Sequence, residues 1–148
     1  MTAAIEGRTL EDLSVGDSAE RSFTVAGSDI DAFAAVSHDR NPVHLDEAYA
    51  ATTAFKGRIA HGMLSAAYIS AVLGEQMPGP GSVYVSQSIR FKRPVRIGDT
   101  VVVKVAVTEI VERTGKVTLS TTCQVNGKTV ADGEAEVLVP RTKTPGAA

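Results

Sequence analysis

The chain carries a single cysteine, Cys123, so no disulfide can close within it and any core must hold by packing alone. Cys123 sits in an alternating apolar run, which reads it as a small buried side chain rather than a reactive thiol. A concentration of positive charge is missing too. The formal net charge is −2, with acidic and basic residues interspersed, which excludes the basic field that nucleic acid or an anionic membrane demands. No apolar stretch is long enough to cross a bilayer, and Met1 to Leu13 carries acidic residues without the basic and apolar regions of a signal peptide. The expectation is a cytoplasmic protein with neither nucleic acid nor membrane as partner. Also absent are a Gly-x-Ser-x-Gly elbow, a Walker-type glycine loop and any His or Cys spacing suited to a closed metal site. Hydrolase-triad, nucleotide-binding and zinc readings are therefore weak, and neither a metal nor a cofactor is expected.

What is present is 148 residues with 43% hydrophobic content, enough for one packed domain spanning 1–148. The ordered core is expected over about residues 8 to 140, followed by a flexible tail at 141–148. Arg21 to Val25 reads as a short strand. Ser28 can cap a helix, with Asp31 three residues later and Ile30, Phe33 and Ala34 as its inner stripe, ending near Ser37. The stretch Ser37-His38-Asp39-Arg40-Asn41-Pro42-Val43-His44 cannot be regular helix throughout, because proline disfavours helical backbone at Asn41 and has no amide proton. Asp39 and His44 are thus expected on a loop, with Asp46 capping a second short helix through Ala48, Tyr49 and Ala50 toward Thr53.

From Gly62 to Leu73 the residues are apolar or small on every side, and Gly74 is placed to end the helix. Such a helix wants burial, and its Ser65, Ala66, Ala67, Ser70 and Ala71 would let a sheet wrap closely around it. After a turn at Pro78-Gly79-Pro80-Gly81, Val83, Val85, Ile89 and Phe91 recur at strand spacing up to Pro94. Thr100 to Glu112, Lys116 to Val125 and Thr129 to Val139 read as further strands, with turns at Thr114-Gly115 and Asn126-Gly127. Val15-Gly16-Asp17 and Ile97-Gly98-Asp99 are alike as turns, not as a repeat. The order gives an α+β fold in which an antiparallel sheet encloses one long helix.

A carboxylate and an imidazole can share the handling of a proton when a loop points both inward, which singles out Asp39 and His44. By spacing alone, an Asp and a His flanking Asn41-Pro42 are turn residues facing water. The segment Asp39-Arg40-Asn41-Pro42-Val43-His44-Leu45-Asp46, followed by Ile59-Ala60-His61-Gly62-Met63-Leu64, resembles the paired signature of MaoC-like (R)-specific enoyl-CoA hydratases. The similarity is greatest to the short bacterial members that feed polyhydroxyalkanoate synthesis. It runs from Phe23 to Val139 and takes in Ala51-Thr52-Thr53-Ala54-Phe55 and Gln87-Ser88-Ile89-Arg90-Phe91. The resemblance implies a single hot-dog domain, a homodimer whose sheets join, and a substrate tunnel bordered by both subunits.

It also implies an activity: reversible addition of water to a trans-2-enoyl thioester of coenzyme A, or of acyl carrier protein, giving the (R)-3-hydroxyacyl product. Coenzyme A is then part of the substrate and no added cofactor is needed. Asp39 and His44 would hold and deprotonate the water, and the backbone amide of Gly62 would meet the thioester oxygen at a helix start. Glycine there also has a plain structural explanation. Ser70 aligns with a serine that accompanies the pair, either holding Asp39 or the water, or simply packing with its hydroxyl on a carbonyl of the preceding turn. Asn41 would brace the loop, His61 would be structural near the helix start, and His38 would face solvent. Arg90, Lys92, Arg93 and Arg96 form the densest basic cluster, suited to coenzyme A phosphates or to a solvated strand edge. Two rival readings keep the fold: a hot-dog thioesterase directing water to the carbonyl carbon, and a non-catalytic subunit of a heterodimeric dehydratase.

Overall fold

Five antiparallel strands and one long helix form the body of the fold, in a computed structural model that describes residues 5–141. The expected flexible tail lies, from residue 142 onward, outside the described residues. After a single 3-10 turn at Leu10–Asp12, the elements are β1 (Ser18–Thr24), α1 (Gly27–Ser37), α2 (Pro42–Leu45), α3 (Glu47–Ala51), α4 (Gly62–Glu75), β2 (Val83–Phe91), β3 (Thr100–Val111), β4 (Lys116–Val125) and β5 (Lys128–Leu138). The strands form one sheet in the order β1-β3-β4-β5-β2, so β1 and β2 are its edges. The sheet curls around α4, the hot-dog arrangement. No helix among the described residues is long and apolar enough to cross a membrane.

The period-two pattern of the sequence is what builds the sheet. Val101, Val103, Val105 and Val107 of β3 turn inward together, as do Val117, Leu119, Thr121 and Cys123 of β4, and all are buried. Pairing Val103 with Cys123 and Cys123 with Ala131 keeps this apolar face in register across three strands. The β4–β5 connection is the expected tight hairpin: Asn126 and Gly127 both take positive φ, 51° and 77°, as a primed turn requires. Against this face α4 lays Leu64, Ser65, Ile69, Val72 and Leu73, a stripe of helical spacing. Each fully buried aliphatic side chain there contributes roughly 1.5–3 kcal/mol.

Four local expectations are revised. The cap of α1 is Ala26, whose amide donates to Asp29 Oδ2 at 2.8 Å; Ser28 lies inside the helix, and Asp31 instead pairs with Arg58. As expected, residues 37–44 are not helical throughout and Asp39 lies on a loop, but His44 does not, because the proline also starts a new helical turn. Asn41 stays non-helical as the N-cap, Pro42 occupies the first position, where a missing amide proton is harmless, and His44 sits on a helical turn. Gly74 does not stop α4, which continues to Glu75 until the buried Met77 and the amide-less Pro78 end it. Finally, α4 is not buried all round: Met63 is 56% exposed, and Ala67 and Ser70 share that open side. Asp46 does cap α3, accepting from the Tyr49 amide.

Candidate active site

The chain leaves α1 through His38, whose left-handed conformation (φ 69°) reverses its direction. A ladder of local bonds then fixes the next five residues. The Asp39 amide donates to Ser37 Oγ at 3.1 Å, Asp39 Oδ1 accepts from the Asn41 amide at 3.2 Å, and Asn41 Oδ1 accepts from the Val43 amide at 3.2 Å. Asn and Asp favour such turns because their short side chains replace a missing backbone partner. The one-turn helix α2 then presents His44. Asn41 therefore braces the loop through its side-chain carbonyl, and His38 is exposed.

His44 Nδ1 lies 2.8 Å from the Ile59 carbonyl oxygen. A carbonyl can only accept, so Nδ1 carries a proton, and in the neutral ring Nε2 then bears the lone pair that a general base needs. His61 is buried, and its Nε2 donates to the Asp39 carbonyl at 2.9 Å. The two imidazoles stack with centroids 3.9 Å apart and planes 28° from parallel, and Phe33 lies 4.9 Å from His61 on another side. One oxygen of Asp39 and one ring nitrogen of each histidine fall within 4.8 Å of one another. Nδ1 of His44 and Nε2 of His61 already donate protons to carbonyls, so neither of these two nitrogens is free to ligate an ion.

Gly62 opens α4, so its amide is among the first four of the helix and has no acceptor within it. A Cβ at this position would come within 2.8 Å of Phe91 ring atoms, so the phenyl ring lies directly on the glycine backbone. Asp39, His44, His61, Gly62 and Ser65 share the lining of a cavity of about 420 Å³, whose other walls include Phe55, Phe91, Val95 and Val130. This is the size and character of a small-molecule site: apolar, with a few convergent polar groups. Of the basic cluster, Lys92 and Arg93 reach this lining, while Arg90 and Arg96 do not. Lys92 is also paired with Asp132 at 2.8 Å.

A second cavity, about 500 Å³, lies between the open side of α4 and β2, lined by Phe33, Met63, Ala67, Tyr84, Gln87 and Ile89 among others. Met63 borders both cavities, which therefore adjoin. Burial pushes the Tyr84 phenol up to about 12, so it stays protonated and donates to Gln87 Oε1. Gln87 in turn donates to the buried Thr121 Oγ1 at 2.9 Å.

Asp39, His44 and Gly62 are thus brought together on one cavity, with Asn41 in the loop that carries the pair. Ser70 is not: it lies eight residues along α4 from Gly62, about 12 Å at helical rise, on the exposed side and in the lining of neither cavity. Ser65, one face round the helix, occupies the place near the cavity. Sequence reasoning missed Arg58, and it named Ile59 only as part of the second motif, without a role. Arg58 Nε donates to the His44 carbonyl at 2.6 Å and its Nη2 to Asp31 at 2.8 Å, contacts across 14 and 27 residues for which no local pattern gives a signal. His61, expected to be structural near the helix start, is buried and holds the Asp39 carbonyl.

The MaoC like domain model matches residues 14–133 of this chain. An (R)-specific enoyl-CoA hydratase of Rhodospirillum rubrum is 58% identical over 130 residues, covering 88% of this chain and 90% of that protein. A 3-hydroxybutyryl-CoA dehydratase of Methylorubrum extorquens is 50% identical, covering 88% and 83%. Among solved structures, the unliganded R-hydratase PhaJ1 of Pseudomonas aeruginosa superposes with a TM-score of 0.89 at 49% identity, over 93% of this chain and 89% of that one. The model match and these relatives together show that the chain belongs to the MaoC-like domain family.

Proposed function

We propose that this protein is a cytoplasmic (R)-specific enoyl-CoA hydratase, adding water to trans-2-enoyl-CoA to give (R)-3-hydroxyacyl-CoA and catalysing the dehydration in reverse. The observation that carries the reading is one cavity holding a carboxylate, an imidazole with its proton committed to a backbone carbonyl, and a glycine at a helix start. The names of the relatives supply the substrate class.

In the hydration direction, water lies between Asp39 and His44 Nε2. Its oxygen bonds to C3 of the enoyl group as the pair removes one proton. The C2–C3 π electrons shift toward C2 and the thioester oxygen, and a proton is delivered to C2 from the same face. One proton is taken and one returned, so the enzyme ends as it began. The reaction is redox-neutral and needs no electron carrier; coenzyme A enters only as part of the substrate. General acid–base help accounts for roughly 10²–10⁴ in rate, and an amide donor aimed at the developing oxyanion for about 10²–10³ more. That donor is the Gly62 amide, where the helix start favours negative charge. Asn41 keeps the loop in shape, and Lys92 and Arg93 are the cations available to the phosphates of coenzyme A.

The active species in this reading is a homodimer. β2 is an edge strand, and Val83, Val85 and Phe91 on it, with Met63 of α4, are each more than half exposed. Apolar side chains clustered at an open sheet edge mark a docking surface for another chain. Ser70 lies on the same open side of α4.

The deciding experiment is incubation of the purified protein with crotonyl-CoA. Loss of the conjugated enoyl absorbance without release of thiol, with only the (R)-alcohol formed, is the expected result. Thiol release would mean a thioesterase, and activity only after adding a second, different subunit would replace the homodimer.

A further inference from the structure

The ring of His44 and the main-chain carbonyls of Asp39, Val43 and His44 are all held by four consecutive residues, Arg58 to His61. Arg58 Nε donates to the carbonyl of His44 at 2.6 Å. The Ile59 amide donates to the carbonyl of Val43 at 3.3 Å, and the Ile59 carbonyl takes the Nδ1 proton of the His44 ring. His61 Nε2 donates to the carbonyl of Asp39 at 2.9 Å. Behind them the segment is moored to the body of the fold: Ile59 bridges Arg96, and the Ala60 amide donates to the Val95 carbonyl at 2.7 Å.

The local bonds of the loop that carries the pair tie it only to itself and to the end of α1. α2 is one turn long, and a single turn has no stability of its own in water. The His44 carbonyl lies in that turn, near the end where helix carbonyls lack a partner inside the helix. Arg58 supplies the partner, with its side chain mostly buried, and its other arm reaches Asp31 on α1. His61 adds a flat surface against the His44 ring, with centroids 3.9 Å apart.

We propose that Arg58 and His61 are positioning residues for the hydration step, the two side-chain clamps of a strap at residues 58–61 that sets the separation of Asp39 and His44 and fixes the His44 ring with its proton on Nδ1. Neither is required to touch substrate. This inference rests on the hydratase reading of the site. Its chemical logic is that a reacting group displaced by about 1 Å loses on the order of 10² in rate, and releasing either carbonyl lets the loop shift by that much.

The test compares wild type with Arg58→Met, Arg58→Lys, His61→Leu and His61→Gln on crotonyl-CoA, measuring kcat and KM per folded protein. It adds nitrogen-15 NMR of the His44 ring. Expected is a fall in kcat of about 10- to 10²-fold in Arg58→Met and His61→Leu with KM nearly unchanged. Glutamine, whose terminal amide can still donate to the Asp39 carbonyl, restores most of the loss at position 61. Lysine does not restore position 58, because one ammonium cannot hold both Asp31 and the His44 carbonyl as the guanidinium fork does. The Nδ1–H signal of His44, present in wild type, broadens or gives way to the other tautomer in Arg58→Met.

If the leucine or methionine variant does not fold, the contrast between His61→Gln and Arg58→Lys decides. Wild-type kcat in all folded variants, equal losses for glutamine and leucine, or full rescue by lysine would each overturn the proposal while leaving the hydratase reading intact. A wild type that hydrates no enoyl-CoA overturns the function instead. The His44 spectra then test the strap by themselves, an Nδ1–H signal unchanged in Arg58→Met overturning it.

Discussion

The sheet from Thr100 to Leu138 and the irregular stretch from Ser37 to Gly62 have opposite constructions. In the sheet, inward valines and their neighbours share the burial, and each strand is tied to the next by a run of equivalent backbone bonds. In the irregular stretch, geometry hangs on single bonds from distant residues, such as Arg58 to the His44 carbonyl and His61 to the Asp39 carbonyl. The lesson is a division of labour: one region carries stability by redundancy, the other carries chemistry by unique contacts. Substitutions in the two regions should therefore separate cleanly in what they damage.

The largest effect falls on turnover. Asp39→Asn and His44→Ala should each lower kcat for crotonyl-CoA by about 10²–10⁴-fold while the thermal midpoint moves little, because neither side chain is part of the core. Near-normal turnover in either variant would break the comparison at its functional end. In the sheet, Leu119→Ala removes a fully buried side chain from β4. It should cost about 2–5 kcal/mol in chemical denaturation, with kcat per folded molecule preserved. A sheet variant that kept its stability but lost activity would show the two regions to be coupled.

The smallest effect sharpens the comparison at the sheet surface. Hydrogen bonds from Lys116 and Ser86 hold the Glu136 carboxyl below the usual carboxylate range. A carboxyl with a lowered folded value stabilises the fold above its unfolded value and loses that contribution as pH falls through the folded one. Thermal midpoints recorded from neutral pH to about pH 3 should therefore drop slightly more steeply in wild type than in Glu136→Gln. Equal slopes would mean that this exposed pair adds nothing, as exposed pairs often do.

Legibility followed the same division. The strands were readable because their information is local: alternating valines, Asn126-Gly127 at the hairpin and the Lys116–Val125 run need no knowledge of distant residues. The helix cap failed by a small margin: the Asp29 carboxylate, one residue beyond Ser28, takes the Ala26 amide. Pro42 interrupts helix at Asn41 as read, but its role in starting the next turn was not read, since a proline disfavours helix before it and permits it after. For the site, two motifs named Asp39, Asn41, His44 and Gly62, and the structure gathers them. Arg58 carried no signal, because an arginine that reaches 14 residues back to a carbonyl looks like any surface cation in the sequence.

By itself the amino-acid order determined the fold class, the inward face of each strand and the identity of the acid–base candidates, all of which follow from side-chain periodicity and from residue chemistry over short spans. Only the tertiary structure decided which nitrogen of His44 bears the proton, that His61 packs on its ring, and that one side of α4 with Met63 and Ser70 stays open. Those facts depend on carbonyls and surfaces brought together from far along the chain, and chain folding, not local preference, sets such distances.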